Sequence, residues 1–196
     1  MIETARRGPG SRATREKLAR AAAELIAEVG WGRVTTRAVA ERAGLPHGAV
    51  SYHFHGKQER LIEACLEAFG QAMPFEAFAA LGGIGDLIDT ILAQLTQGLA
   101  SNVALTRLMF EAMREAERDD VLRARLGAMI VEYRAVVVDI VRGDQERGVI
   151  PAHLSAEGVA TLVTSVGDGL LLHALLDPGL EAAGALSVLR ALLAAG

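Results

Sequence analysis

Residues 35–57 constrain the fold more than any other part of the chain, because they predict two short helices joined by a tight turn. Gly44 supplies the turn, since a residue without a Cβ adopts a left-handed backbone at little cost. Pro46 can open the second helix, where the N–H group that proline lacks would have had no helical partner. The residues left to pack inward are Val39, Ala40, Ala43, Ala49, Val50 and Phe54. This spacing is typical of a helix-turn-helix, a motif whose second helix enters the major groove of DNA.

The same spacing also occurs by chance in helical proteins that bind no DNA, so the flanking residues decide between the two interpretations. An amphipathic helix precedes the motif, a basic segment precedes that helix, and an aromatic–His–Phe run with Lys57 follows. Residues 1–57 contain ten Lys and Arg against five Asp and Glu, whereas residues 58–196 contain ten against nineteen. A basic end on an acidic remainder suits a chain that presents only that end to a polyanion.

From about Arg15 to Leu66 the chain resembles the DNA-binding domain of the TetR-type (tetracycline-repressor family) transcriptional regulators. The residues that carry the resemblance are AAAELIAEVGWGRVTTRAVAERAGLPHGAVSYHFHGKQERLIEACL. The usual run in that family is a helix ending in glycine, a Thr-led second helix, Ala-Gly, a recognition helix ending in aromatic–His–Phe, and a Lys. This chain matches each feature and departs at Ser51, where many members carry tyrosine. Tyr52, one position along, is the alternative source of the phenolic hydroxyl.

The apolar pattern of the whole chain is helical. Apolar residues make up 51% of the chain but aromatic residues only 4%, and their spacing predicts nine or ten helices and no strand pair. We therefore predict an all-α fold, with a three-helix helix-turn-helix domain followed by a larger helical ligand-binding and dimerisation bundle. The predicted divisions are a flexible basic arm over 1–13, the DNA-binding domain over 14–57, and the effector-binding and dimerisation domain over 58–196. Ser101 or Asn102, and later Ser155, are expected to cap helices.

The predicted DNA contacts follow from helix ends and from the resemblance. Thr35 and Thr36 lie at a helix N-terminus, which attracts phosphate through free N–H groups, although a cap alone is an equal alternative for Thr35. By resemblance, Arg37 reaches a guanine edge, with a plain phosphate contact as the alternative. The small residues of the recognition helix allow close approach, and its flank is expected to bond phosphate. The full predicted set is Thr35, Thr36, Arg37, Pro46, His47, Gly48, Ala49, Ser51, Tyr52, His53 and Lys57.

The predicted domain over 58–196, called the body below, contains residues that could line a small-molecule site. Methionine suits an adaptable apolar cavity, and polar tips such as those of Tyr133 and His173 need partners on apolar faces. An ordinary core position is the alternative for every one of these residues. Asp168 is either a tie between helices or a ligand contact. The predicted wall residues are Phe69, Met73, Leu92, Met109, Met113, Tyr133, Val166, Gly169 and His173.

The penultimate predicted helix is apolar on two sides, and such a helix must be buried on two sides. We assign the side rich in small residues to self-association, together with the last helix, and this segment also resembles the dimerisation helix of the family. A two-fold dimer would place two recognition helices on a near-palindromic operator. The predicted dimer residues are Ala160, Thr164, Gly167, Leu171, Ala174, Leu186, Leu189 and Leu193.

The remaining features argue against other classes of protein. Cys65 is the single cysteine, which excludes an internal disulfide, and its helical neighbours predict a buried thiol. No run reaches the ~18 apolar residues of a membrane span, so we expect a soluble, cytoplasmic protein without a membrane partner. His53 and His55 alone make a weak metal site, and we expect no cofactor. The rivals are a helical protein-interaction module that does not bind DNA and a small all-helical enzyme, although GxSxG, HExxH and CxxC are absent.

Overall fold

The computed structural model describes residues 9–54, 56–72, 75–97, 99–177 and 179–194, and all regular structure in these ranges is helical. This confirms the predicted all-α class. A short 3-10 helix, Trp31–Arg33, lies between the first two α-helices. The α-helices are α1 (Pro9–Val29), α2 (Thr36–Ala43), α3 (His47–His53), α4 (Lys57–Ala72), α5 (Phe75–Ala79), α6 (Ile84–Gln97), α7 (Leu99–Ala116), α8 (Asp120–Glu146), α9 (Ala156–Leu176) and α10 (Ala182–Ala194).

Local signals placed several helix ends correctly. Thr35 is the N-cap of α2, and its hydroxyl oxygen accepts a hydrogen bond from the Ala38 N–H at 3.1 Å. Gly44 ends α2 at φ 64°, in the left-handed region that favours glycine. Ser155 caps α9 by accepting from the Gly158 N–H at 3.1 Å.

Other helix ends differ from the predictions. Residues 99–102 are helical, so neither Ser101 nor Asn102 caps α7, because the good helix formers Leu99 and Ala100 extend the helix in front of them. The helix α1 starts at Pro9, so residues 9–13 are not the flexible arm that we expected, while residues 1–8 lie outside the described residues. Two short elements, α5 and the 3-10 helix, had no sequence prediction.

The chain forms two compact units. The first contains residues up to Ala72 together with Arg107–Arg123, and in it α1 packs against α2 and α4. Leu61, Ile62 and Cys65 of α4 are buried, which confirms the expected buried thiol. The predicted boundary after residue 57 is therefore wrong: α4 belongs with the N-terminal helices, because its apolar face completes their core.

The second unit contains residues 73–106 and 124–196, and in it α6 packs against α9 and α10. Its core is built mainly from Ile, Leu and Val of α6, α8, α9 and α10. Asp144 is a buried acid in this unit, with 3% of its surface exposed. Its Oδ2 accepts a hydrogen bond from the Ile84 N–H at 2.7 Å, and its Oδ1 accepts one from Arg147 at 2.7 Å. The carboxylate on α8 therefore caps the start of α6.

The helix α9 is long and apolar enough, by length and composition alone, to cross a membrane, contrary to our expectation from the sequence. Only 22% of its most apolar stretch is buried in the single chain. One side of α9 packs on the core of the second unit, and the other side carries exposed leucines.

Candidate nucleic-acid interface

The helices α2 and α3 form the helix-turn-helix within the first unit. Their turn is closed by backbone hydrogen bonds, with the Gly44 N–H bonded to the Glu41 carbonyl at 3.1 Å and the Leu45 N–H to the Ala40 carbonyl at 3.0 Å. Val39 and Val50 are fully buried, so the inward faces of both helices meet the same core. Both helices are therefore anchored in one core, which leaves their outward faces as the surface for DNA.

Three of the predicted DNA-contact residues lie at the start of α2, and each has a different hydrogen-bond partner. The Thr35 hydroxyl accepts the capping hydrogen bond described above. The Thr36 hydroxyl oxygen accepts a hydrogen bond from Nη1 of Arg60, a residue of α4, at 3.2 Å. Arg37 is exposed, and its Nε lies 2.7 Å from Glu41, one turn along the same helix. An exposed pair of this kind contributes little stability, so the guanidinium can exchange Glu41 for a base edge at small cost.

The exposed side of α3 has the small and polar character that was predicted. Pro46, His47, Gly48 and Ser51 are exposed and Ala49 is half-buried. No atom lies within 4 Å of a Cβ built on Gly48, so this position leaves open space beside the helix. These residues share the surface that a major groove would face.

Tyr52 and His53 do not lie side by side on the helix flank. Tyr52 is 74% exposed, whereas His53 is 6% exposed and follows Val50 by three residues on the buried side of α3. The two rings meet edge to face with their centroids 5.0 Å apart. The predicted surface position of His53 is therefore wrong. Of the two residues, only Tyr52 is exposed for a phosphate contact, and the buried His53 ring packs against the Tyr52 ring.

Lys57 begins α4 and stays exposed, as expected for a phosphate contact. Its Nζ donates a hydrogen bond to the Gly32 carbonyl at 2.9 Å, which ties the start of α4 to the 3-10 helix. An ammonium group has three N–H donors, so one bond to a carbonyl leaves donors for a phosphate.

A hydrogen-bonded cluster around the lone tryptophan was missed by sequence reasoning. The Trp31 backbone N–H donates to Glu111 at 2.9 Å, and the Trp31 indole N–H donates to the side-chain oxygen of Gln58 at 3.3 Å. The Gln58 amide donates in turn to Asp119 at 2.7 Å. Trp31 itself is buried, so these bonds hold the end of α7 against the 3-10 helix. A single tryptophan directly after Gly30 was the only available signal.

The two carboxylates of this cluster are held in their ionised form. Burial raises the pKa of Glu111, but the hydrogen bonds from Trp31 and Arg114 outweigh that effect and leave the pKa below its ordinary value. The Leu122 N–H and then the Gln58 amide lower the pKa of Asp119. The cluster is therefore at its strongest at neutral pH.

The predicted effector-site residues fall in both units. Phe69 is buried in the first unit, where Met109 is half-buried and Met113 is exposed. Leu92, Tyr133 and Val166 each pack against the core of the second unit, whereas Gly169 is half-buried and His173 is exposed. Met73 lies outside the described residues.

Tyr133 has the most unusual surroundings of this set. Its ring meets Phe78 edge to face at 5.4 Å. Burial, and then the negative charge of Asp168, raise the pKa of Tyr133 to about 12. Burial of the Asp168 carboxyl group also raises its pKa, although the residue as a whole is exposed. A separate cleft of about 310 Å³, which includes Leu81, Val136, Ile140 and Arg147, lies elsewhere in this unit and contains none of the predicted wall residues.

Most of the predicted dimer residues face the core of their own chain. Ala160, Leu186, Leu189 and Leu193 are buried in the second unit. Leu171 and Ala174 pack against the same core, and a Cβ on Gly167 would lie 3.4 Å from Ile91. The Thr164 hydroxyl donates to the Ala160 carbonyl of its own helix at 2.9 Å.

Four of the eight predicted dimer residues are therefore already covered within the single chain. Large apolar residues stay exposed on the other side of α9, and α10 also has two of them. These residues are Leu162, Leu172, Leu176, Val188 and Leu192. Small residues allow close packing, and here they allow α6 to approach α9 within one chain.

Known proteins share this sequence pattern and fold. Residues 18–65 match the family of bacterial regulatory proteins, tetR family, and residues 85–196 match the BetI-type transcriptional repressor C-terminal family. The HTH-type transcriptional regulator TtgR of Pseudomonas putida is 25% identical over 175 residues, which cover 84% of this chain and 81% of TtgR.

Two solved structures have the same fold at low sequence identity. A TetR family transcriptional regulator from Cytophaga hutchinsonii superposes with a TM-score of 0.82 at 16% identity, over 97% of this chain and 98% of its own. The transcriptional regulator FadR from Bacillus subtilis, in complex with stearoyl-CoA, superposes with a TM-score of 0.71 at 19% identity, over 92% and 97%.

The fold, the helix-turn-helix and the exposed recognition surface define a class, the helix-turn-helix transcriptional regulators. Within that class the chain belongs to the tetR family of bacterial regulatory proteins, since the BetI-type repressor match alone spans more than half of its residues. The resemblance found in the sequence is thereby confirmed. Regulators of this family bind DNA and small-molecule effectors.

Proposed function

We propose that this chain is a homodimeric repressor that binds a near-palindromic operator and is released by a small, mainly apolar effector. The observation that carries the DNA-binding half is the surface of α3. There, small exposed residues stand beside the protruding ring of Tyr52, and the helix is held by fully buried Val50. His47, Ser51 and Arg37 are the polar side chains available for reading base edges.

The uncovered side of α9 supports the dimer. Only 22% of the most apolar stretch of α9 is buried in the single chain, and Leu176 is 81% exposed. Large apolar residues left exposed on one chain mark an interaction surface, and a second copy is its natural occupant for a regulator with one recognition helix. A two-fold dimer would place two recognition helices about 34–36 Å apart, one turn of DNA. DNA binding would also place the protein in the cytoplasm.

The second unit offers the better setting for an effector. Leu92, Tyr133 and Val166 each pack against its core, and Tyr133 would bring a hydroxyl to an apolar wall. The related fold of FadR was solved with stearoyl-CoA, which carries a long apolar chain. In this proposal the polar side chains of Asp168 and His173 would orient the polar end of a mainly apolar effector.

Release follows from linkage. An effector that favours one conformation of the body, while DNA favours another, lowers the affinity for the operator by the ratio of its affinities for the two conformations. The helix α4 is the element that we expect to move, because it packs on α1 in the same unit as the helix-turn-helix. A shift of α4 in each protomer would change the separation of the two recognition helices.

The test starts with a duplex selected by the purified chain from a random-sequence pool. Fluorescence anisotropy then measures its affinity at increasing salt concentration, with and without apolar candidate effectors. We expect a steep fall with salt, because several phosphate contacts release counterions. A protein-interaction module, or an enzyme on this fold, would select no duplex at low salt, and that outcome would refute the proposal. Effectors that bind the body and leave the affinity unchanged would refute the coupling alone.

A further inference from the structure

Arg60 is a buried cation in the first unit, and neither the predicted contacts nor the proposed mechanism uses it. It lies in the first turn of α4, and only 2% of its surface is exposed. Its Nη1 donates to the Thr36 hydroxyl oxygen at 3.2 Å. Its Nε and Nη2 are buried and have no hydrogen-bond partner among the described residues. Arginine is almost never buried to this degree without a partner, because desolvating its charge is costly.

No acid among the described neighbours of the motif neutralises this charge. Glu41 pairs with Arg37, and Arg42 pairs with Glu24 and Glu28. Burial is the one physical cause that perturbs Arg60, and it lowers the pKa of the guanidinium. A guanidinium nevertheless remains protonated in proteins, so Arg60 keeps its positive charge in the core of the first unit.

The charge is aimed at the start of α2. This end of the helix carries a partial positive charge and unbonded N–H groups, which attract anions. The Thr35 hydroxyl is already used as the cap, so Thr36 is the hydroxyl that remains for a ligand. A hydroxyl that accepts a hydrogen bond keeps its own hydrogen for a second partner. Because Arg60 donates to the Thr36 oxygen, the hydroxyl hydrogen is left for a partner other than Arg60.

We propose that Arg60 is a positioning residue for a phosphate of the DNA backbone at the N-terminus of α2. Arg60 orients the Thr36 hydroxyl to donate to the phosphate. Its positive charge also attracts the phosphate from the protein interior, where the low dielectric screens this attraction only slightly. The inference rests on the DNA-binding function proposed above. It explains why a cation is kept in a core position: in the complex, the phosphate charge offsets it.

The experiment compares the unaltered chain with Arg60→Leu on the same fluorescein-labelled selected duplex at fixed salt. We expect the affinity to fall about tenfold, the size of one charge-assisted hydrogen bond. The melting temperature should stay unchanged or rise, since an apolar side chain replaces a buried cation without a counter-charge. The control is Arg123→Leu, which removes an exposed arginine at the start of α8 and should leave the affinity within about twofold.

A double-mutant cycle with Thr36→Val separates this role from simple packing. If Arg60 acts through the Thr36 hydroxyl as well as through its charge, the loss caused by Arg60→Leu should shrink from about tenfold to about threefold or less in the Thr36→Val background. A full tenfold loss in both backgrounds, or an unchanged affinity of Arg60→Leu alone, would overturn the inference. If Arg60→Leu does not fold, the same cycle with Arg60→Met is judged by the same criteria. Failure of the unaltered chain to select any duplex would instead refute the proposed function.

Discussion

Asp144 holds the start of α6 from a neighbouring helix, and its removal should be one of the costliest single changes in the second unit. In Asp144→Ala, the Ile84 N–H loses its acceptor at 2.7 Å and stays buried, and Arg147 loses its partner. A buried donor left without an acceptor costs about 1–3 kcal/mol, and the lost charge-assisted bond adds to that. We therefore expect the free energy of unfolding to fall by about 3 kcal/mol, and the melting temperature by about 6–12 °C for a chain of this size.

The assay is urea denaturation followed by circular dichroism at one fixed protein concentration, because self-association makes apparent stability depend on concentration. The matched control is Asp139→Ala, an acid on the same helix whose side chain is 79% exposed and lies 3.6 Å from Arg142. An exposed pair of this kind should contribute less than about 1 kcal/mol. If Asp144→Ala were no more destabilising than Asp139→Ala, the hydrogen bond from the Ile84 N–H to Asp144 would not stabilise the start of α6, and the reasoning would be refuted.

Three further predictions concern the dimer, the operator and pH. Leu176→Glu should convert the dimer to monomers in light scattering, whereas Val131→Glu, at an exposed position of α8, should not; a dimer that survives Leu176→Glu would place the interface elsewhere. Arg37→Ala should weaken specific binding by about 1–3 kcal/mol and relax one base position, measured by repeating the duplex selection, and an unaltered preference would limit Arg37 to phosphate. Glu111 has a lowered folded pKa, so it stabilises the fold above its unfolded pKa and this contribution is lost as pH falls through the folded pKa. Melting temperatures of Glu111→Gln should therefore fall less steeply below about pH 5 than those of the unaltered chain, and parallel curves would contradict the assignment.

Signals that act within a few residues could be recognised from the sequence. Thr35 and Ser155 cap their helices because a hydroxyl bonds an N–H three residues ahead, and Gly44 ends α2 because it has no Cβ. The helix-turn-helix is built almost wholly from such local rules. The helical class and the two short helices followed from these rules, whereas the family and its reading surface on α3 followed from the resemblance to TetR-type regulators.

Positions that depend on which elements meet could not be recognised in this way. The periodicity of α9 showed two apolar sides, but it carries no information on which side the chain covers with its own α6 and α10. The predicted interface through Ala160 and Leu186 therefore fell in the core. The same reason explains why His53 was expected on the surface.

The amino-acid sequence by itself determined the helices and the helix-turn-helix, since turns, caps and apolar spacing are local properties, and its resemblance to TetR-type regulators indicated a DNA-binding function. The tertiary structure alone decided that Arg60 lies behind Thr36, that Asp144 caps a helix sixty residues away, and that Trp31 joins Glu111. Each of these contacts links distant residues, and a polar side chain gives no sign in the sequence of the partner that will satisfy it. The buried charges and the uncovered apolar side of α9, where the function is now to be tested, exist only once the helices have packed.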